Sequence, residues 1–331
     1  LKQESEYFLT NDLPNKLILR KLNDNIKRIY KDEQANRRII ISQVKTLLSE
    51  TCPFWVIKTD IKSFYESIDR ERLISKFHDD SMLSYQSMFL IKRIFENPIL
   101  VGKSGVPRGM NISATMSELY MRKFDRWVRS YDSVYYYARF VDDIIIFSNS
   151  LKNYNIINKS CIIVNLDKKN GKKMRLKHKL DYLGYSFRIE NGRTKRRKLI
   201  VSIAEKKIRK IKTRVIKAFL DFSKNKNFDL LEKRVQFLTG NYSIRKSEEG
   251  NSLRAGIYYN YLQVTSHSVF IQLNQLLRKS IYSKSPTFGA KIRLSNIQKS
   301  KLRKYCFLAG FEKKVFFEFS YIEMQQIIKC W

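Results

Sequence analysis

Tyr137-Ala138-Arg139-Phe140-Val141-Asp142-Asp143-Ile144-Ile145-Ile146-Phe147 decides how the rest of this chain is read. Two β-prone runs flank adjacent carboxylates, a pattern that predicts strand, tight turn, strand. The apolar arms require burial along the hairpin, while Asp142 and Asp143 keep its tip charged. Aspartate tolerates turn geometry, so an acidic surface hairpin would satisfy the pattern without any chemistry. Adjacent carboxylates on a buried support repel, however, unless a cation or a proton sits between them. A second acidic strand end lies upstream, in Lys58-Thr59-Asp60-Ile61-Lys62-Ser63-Phe64-Tyr65. There the apolar run Phe54-Trp55-Val56-Ile57 reads as a central strand that delivers Asp60 at its C-terminal end.

The 331 residues carry 65 Lys and Arg against 31 Asp and Glu, a formal charge of +34. Such an excess goes beyond what solubility requires and points to a polyanionic partner, nucleic acid ahead of an anionic membrane. At 43% hydrophobic residues the composition is that of a globular protein, long enough for a large core with a trailing domain. No apolar run reaches the roughly 18 residues of a membrane span, and no leader pattern opens the chain, so no membrane partner is expected. Cys52, Cys161, Cys306 and Cys330 are scattered and the three histidines do not cluster with them. That argues against a zinc site or a disulfide framework and suits the reducing cytoplasm.

Taken in order, Leu17, Ile18, Lys21, Leu22, Asn25, Ile26 and Ile29 have helical spacing up to Tyr30. A basic turn at Arg37 and Arg38 precedes a helix through Val44, Leu47 and Leu48. Asp69-Arg70-Glu71-Arg72 predicts a capped helix running towards Phe77. Gly102-Lys103-Ser104-Gly105-Val106-Pro107-Arg108-Gly109 makes a loop whose backbone can approach a base or a primer end. Met116, Leu119, Tyr120, Lys123, Phe124 and Trp127 then recur along one face of a helix. Leu180-Asp181-Tyr182-Leu183-Gly184-Tyr185-Ser186-Phe187 reads as an aromatic hairpin.

Both acidic stretches resemble the carboxylate motifs of reverse transcriptases, with Val141-Asp142-Asp143 where that family usually has Tyr-Ala-Asp-Asp or Tyr-Val-Asp-Asp. The order of the other elements strengthens the resemblance, which covers roughly residues 30 to 190 by motif. It implies that Asp60 and Asp142, helped by the main chain at Ile61, hold two Mg²⁺ ions (Mn²⁺ as an alternative), with Asp143 a supporting carboxylate. Arg37 or Arg38 would hold the incoming deoxynucleoside triphosphate, since guanidinium forks match phosphate oxygens; a solvated basic turn is the competing reading. Tyr65, or Phe64 in its place, would lie under the sugar and exclude a 2′-hydroxyl, the other aromatic being ordinary core. Pro107, Arg108 and Gly109 belong to the loop that meets the nascent pair. The family usually has Gln where Arg108 stands, which puts the checking of that pair in question because Arg only donates. Val164-Asn165-Leu166-Asp167-Lys168-Lys169 resembles the family's Leu-Asn-x-x-Lys-Thr element and implies that Lys168 protonates the leaving pyrophosphate. The interval from Asp143 to Asn165 is short for the helix that packs beneath such a palm. Tyr182, Leu183 and Gly184 match the hairpin that grips the primer.

The implied fold is α+β: a right-hand polymerase with fingers and palm over residues 1–190, then a mostly helical basic thumb and C-terminal extension over 191–331. Within the thumb, Ile208, Ile211, Val215, Phe219 and Phe222 form an apolar stripe, and Lys206, Lys207, Arg209, Lys210, Lys212, Arg214 and Lys217 occupy most of the remainder. Of these, Lys207, Lys210 and Arg214 are the expected contacts to a nucleic-acid backbone. The aromatic-rich segments at 237–242 and 256–261 are most similar to bacterial defence-associated, retron-related enzymes. That implies an RNA template, in particular a dedicated non-coding RNA, a DNA product, and a homo-oligomer or companion defence protein as partner. A retron or intron-type enzyme, an RNA-dependent RNA polymerase and a non-catalytic nucleic-acid-binding protein are the alternatives. The retained carboxylates weigh against the last. Asp229 is the final aspartate, leaving too few acidic ligands downstream for a ribonuclease H domain.

Overall fold

The computed structural model describes residues 12–31, 35–50, 55–97, 100, 104–149, 162–165, 179–191, 197–245 and 253–331. The chain divides into two compact units, Leu1–Gln43 with Thr51–Met174, and Val44–Glu50 with Arg175–Trp331. Among the described residues no helix is long and apolar enough to cross a membrane.

In the first unit, α1 (Leu13–Tyr30) starts where Asp12 accepts a hydrogen bond from the Asn15 N–H and ends at Lys31 in the left-handed region. The second helix, α2 (Arg37–Ser49), whose residues from Val44 onward cluster with the second unit, follows Asn36, whose side chain accepts from the Arg38 N–H at 2.9 Å. The expected basic turn at Arg37 and Arg38 is therefore the first turn of a helix. Then come β1 (Trp55–Asp60), α3 (Arg70–Asp80), α4 (Tyr85–Phe95), α5 (Asn111–Arg129), β2 (Val134–Phe140), β3 (Asp143–Ser148) and β4 (Ile162–Asn165). As its sequence predicts, α3 is capped by Asp69, which accepts from the Glu71 and Arg72 N–H groups.

The four strands form one antiparallel sheet in the order β2-β3-β1-β4. A central strand is covered on both faces, which explains the unbroken run Ile144-Ile145-Ile146-Phe147, at most 1% exposed throughout. Ile57, Ile144 and Ile146 pack with Val128 of α5 and Tyr137 of β2. A second cluster joins Leu22, Ile26 and Tyr30 of α1 to Leu73, Phe77, Ile91, Met116 and Leu119. The C-terminal half of α1 is tied down by Thr115 donating to the buried Asn23 at 2.7 Å and by Arg122 donating to the Tyr30 carbonyl at 2.6 Å, and among the described residues its N-terminal turns have no such tie. Leu17 and Ile18, placed on the apolar face by periodicity, are accordingly about half exposed.

The second unit contains β5 (Lys179–Tyr182), β6 (Tyr185–Asn191) and β7 (Arg197–Ile203) as an antiparallel sheet. It continues with α6 (Glu205–Asn225), α7 (Phe228–Thr239), β8 (Asn241–Arg245), β9 (Leu253–Gly256), α8 (Ile257–Asn260), α9 (Ser268–Ile281), α10 (Gly289–Ile292), α11 (Asn296–Arg303), α12 (Phe307–Glu312) and α13 (Tyr321–Ile328). The β5–β6 hairpin, assigned to the palm from sequence, clusters with this unit. The aromatic-rich segments flank the β8–β9 pair and are organised by a fully buried side chain. Asn241 donates to the Gly310 and Val315 carbonyls at 2.9 and 3.0 Å and accepts from the Tyr258 N–H at 2.9 Å. Every polar atom of that amide is used, as burial requires.

Candidate active site and nucleic-acid interface

Only Val141 and Asp142 separate β2 from β3. Asp143 opens β3 and is the Cα partner of Asp60, the last residue of β1. The Ile61 N–H donates to the Asp142 carbonyl at 3.2 Å, extending the ladder one step past both strand ends. The three predicted carboxylates thus converge on one end of the sheet, Asp60 exposed and Asp142 and Asp143 half-buried. Lys168 lies outside the described residues.

Val141 has φ +60°, a left-handed conformation that a β-branched residue holds only where its surroundings over-determine it. The main such surrounding is Arg139, whose guanidinium donates to the Val141 carbonyl at 3.1 Å. Arg139 also makes a two-point pair with Glu118 (3.0 and 2.7 Å) and another with Asp125 (2.9 and 2.8 Å). Its side chain is only 4% exposed. Burial works to lower its pKa, but the bonds to Asp125 and Glu118 outweigh that and hold the group more firmly protonated than usual. The Tyr137 hydroxyl donates to Asp125 at 2.6 Å; burial, reinforced by that carboxylate, raises its pKa.

Sequence reasoning assigned no role to Arg139, Glu118 or Asp125. The signal was present, because an arginine inside a buried strand needs anionic partners. Glu118 and Asp125 stand two turns apart on one face of α5, so a single guanidinium can reach both.

Ser63 has φ +50°, and a tight turn over residues 62–67 carries the two candidate aromatics. Phe64 is 2% exposed and is core, which corrects its placement as a substrate contact. Tyr65 is half-buried, its ring edge-on to Phe64 at 5.3 Å. Burial raises the pKa of the Tyr65 hydroxyl, and the nearby Glu118 and Asp142 carboxylates add to the effect.

The glycine loop docks directly on this tyrosine: the Val106 N–H donates to the Tyr65 carbonyl at 2.8 Å. Gly105 (φ +73°) permits the approach, since a Cβ there would stand 2.0 Å from the Tyr65 carbonyl oxygen. Pro107 is buried and shapes the loop, while Gly109 is exposed at φ +94°. Arg108 pairs side-on with Glu66 at 2.6 and 2.9 Å and holds that carboxyl below the usual carboxylate range. Glu66 was not singled out from sequence.

Among the described residues no three His, Cys, Asp or Glu side chains are gathered as a metal cage. Asp60, Asp142 and the Ile61 main chain meet at the strand ends, and as oxygen donors they would make an open set rather than a cage. Such a set suits Mg²⁺, which is commonly held by one or two carboxylates together with substrate phosphates. Mn²⁺ accepts the same oxygen donors.

In the second unit, Leu183 (φ +44°) and Gly184 (φ +83°) form a two-residue turn between β5 and β6. The Gly184 carbonyl accepts from the Ala204 N–H at 3.0 Å, fixing the hairpin to the start of α6. Tyr182 is 1% exposed, so its side chain belongs to the core rather than to a nucleic-acid surface as expected. On α6, Ile208, Val215, Ala218, Phe219 and Phe222 are buried, and Ile211 lies at the margin. Lys206, Lys207, Arg209, Lys210 and Lys217 are exposed. Arg214 departs from the expected basic face. It is half-buried, its guanidinium sits over the Trp331 ring at 4.9 Å, and the Trp331 indole donates to its carbonyl at 3.2 Å.

Residues 13–187, just over half of the chain, match the family described as reverse transcriptase (RNA-dependent DNA polymerase). The chain belongs to that family. No curated protein matches it. Among solved structures it is similar to telomerase from Candida albicans in complex with the TWJ fragment of telomeric RNA, at 13% identity and TM-score 0.39, over 87% of this chain and 49% of that one. It is also similar to apo telomerase from Candida tropicalis truncated from its C-terminal domain, at 13% identity and TM-score 0.33, over 58% and 45%. The chain thus spans about half the length of the solved structures it matches.

Proposed function

We propose that this chain is an RNA-directed DNA polymerase whose reacting centre is the Asp60–Asp142 end of the sheet in the first unit. The observation that carries this reading is the register opposing Asp60 to Asp143, with the Ile61 N–H holding the Asp142 peptide. Asp60, Asp142 and the main chain at Ile61 would hold two Mg²⁺ ions, with Asp143 as a supporting carboxylate. When bound, such ions activate the attacking oxygen and neutralise the leaving group's charge.

The chain's own groups do the remaining work. Arg37 and Arg38 occupy the first turn of α2, where cations oppose the helix dipole and an anion offsets both. That supports a triphosphate contact there. Tyr65 packs against the sugar, the Pro107-Arg108-Gly109 loop lies along the nascent pair, and Lys168 supplies the proton to pyrophosphate. Residues 1–190 act as fingers and palm, and 191–331 as thumb. The exposed lysines of α6 and the Leu183–Gly184 turn follow the nucleic-acid backbone.

The aromatic-rich segments support a finer reading: a bacterial, cytoplasmic antiphage enzyme that copies a dedicated non-coding RNA, alone, as a homo-oligomer or with a companion protein. The test is extension of a DNA primer on a defined RNA template, with sequencing of nucleic acid that copurifies with the protein. Complementary DNA made from deoxynucleotides is the expected product. No templated product with either Mg²⁺ or Mn²⁺ would refute the polymerase reading. An infection assay comparing the wild-type chain with Asp142→Ala tests the defence role.

A further inference from the structure

Arg108 stands where a neutral, two-way hydrogen-bonding residue is usual in this family, and the fold gives it a specific anionic partner. Glu66 meets it side-on through both carboxylate oxygens, at 2.6 and 2.9 Å, and Glu66 is the residue immediately after Tyr65. The Arg108 guanidinium lies 5.6 Å from the centre of the Tyr65 ring, and Phe64 meets that ring edge-on at 5.3 Å. Between these two the backbone is also tied, by the Val106 N–H on the Tyr65 carbonyl. The ring therefore has two neighbours of different kinds, a core phenylalanine and a charge-paired guanidinium.

We infer that the Glu66–Arg108 pair is a positioning latch that holds the Tyr65 ring against the sugar of the incoming nucleotide, and so sets discrimination between deoxyribose and ribose. The inference rests on the polymerase reading above and deepens it. The physical grounds are directional. A bidentate guanidinium–carboxylate pair fixes the plane and the position of the guanidinium. A guanidinium so fixed limits how far a neighbouring aromatic ring can tilt through contact and cation–π attraction. With side-chain exposures of 27% and 41%, the pair adds little to stability. Geometry, rather than folding, is what it supplies. Excluding one hydroxyl from a sugar depends on a steric boundary, and a ring free to tilt relaxes it.

The experiment compares incorporation of matched deoxy- and ribonucleotides by the wild-type chain, Glu66→Gln, Arg108→Gln and the double variant on one primed RNA template. Melting midpoints confirm that each variant is folded. Both single variants should lower the preference for deoxynucleotides on the order of tenfold, and the double variant should lower it no further, because either change opens the same latch. A folded, active single variant with the wild-type preference would overturn the latch, as would effects that multiply in the double variant. A wild-type chain that incorporates neither nucleotide would instead remove the polymerase reading beneath it.

Discussion

Asp60 and Asp143 are Cα partners on the last rung of the β1–β3 ladder, so two strand ends distant in sequence bring carboxylate residues to one end of the sheet. Mutual repulsion makes this arrangement unfavourable for stability alone. Asp142→Ala is therefore expected to abolish nucleotide addition while leaving nucleic-acid binding nearly intact and the melting midpoint unchanged or slightly raised. Asp60→Asn should behave likewise. Primer extension, a binding titration and a thermal melt check the three parts; undiminished synthesis by either variant would remove these carboxylates from the chemistry.

Arg139 is the shared counter-charge of Glu118 and Asp125 in a nearly dry setting. Arg139→Met leaves two carboxylates facing each other and should cost about 3–5 kcal/mol of stability. Adding Glu118→Gln and Asp125→Asn should recover most of the loss, because the uncompensated charges go too. Urea denaturation of the single and triple variants measures both. A single variant as stable as the wild type would show that the charge network does not hold the turn.

Tyr65→Ala should admit ribonucleotides, since removing the ring opens the space a 2′-hydroxyl would fill. Phe64→Ala should instead destabilise the fold by about 3–5 kcal/mol, the usual cost of truncating a buried phenylalanine. Incorporation ratios and unfolding curves separate the two roles. An unchanged ratio in Tyr65→Ala would mean that the ring does not contact the sugar.

Lys207→Ala combined with Lys210→Ala should weaken binding of a primed template whatever its sequence. Each lost phosphate contact should flatten the slope of log affinity against log salt by about 0.7–0.9. Arg214→Ala should act mainly on stability, because its guanidinium covers Trp331. Binding isotherms over a salt series distinguish them, and an unaltered slope in the lysine variant would return that face to solvent.

Tyr242 is 9% exposed and stacks on Phe237 with ring centres 4.1 Å apart. Burial pushes its hydroxyl up to about 12 from an ordinary value near 10. The unfolded chain then loses this proton first as pH rises. The Tyr242 contribution to stability is full below pH ~10 and is lost as pH climbs towards 12. Stability at alkaline pH should fall off less steeply in Tyr242→Phe, as denaturation curves over a pH series would measure. Equal slopes for the two proteins would contradict the shift.

The acidic hairpin, the strand ending at Asp60, the Asp69 cap and the stripe of α6 were legible because each depends on neighbours within a few residues. Alternation, capping and helical period are local constraints, and the chain satisfies them locally. Partner choice is not local. Which of Phe64 and Tyr65 faces the site, why Tyr182 and Arg214 turn inward, and how Glu66 engages Arg108 depend on segments brought together only by folding. Arg139 is the sharpest case. Its strand predicted burial and its charge demanded a counter-charge, yet Glu118 and Asp125 become its partners only when α5 packs against β2. Burying a charge is tolerable only where matching groups arrive from elsewhere in the chain, and tertiary packing alone decides where that is.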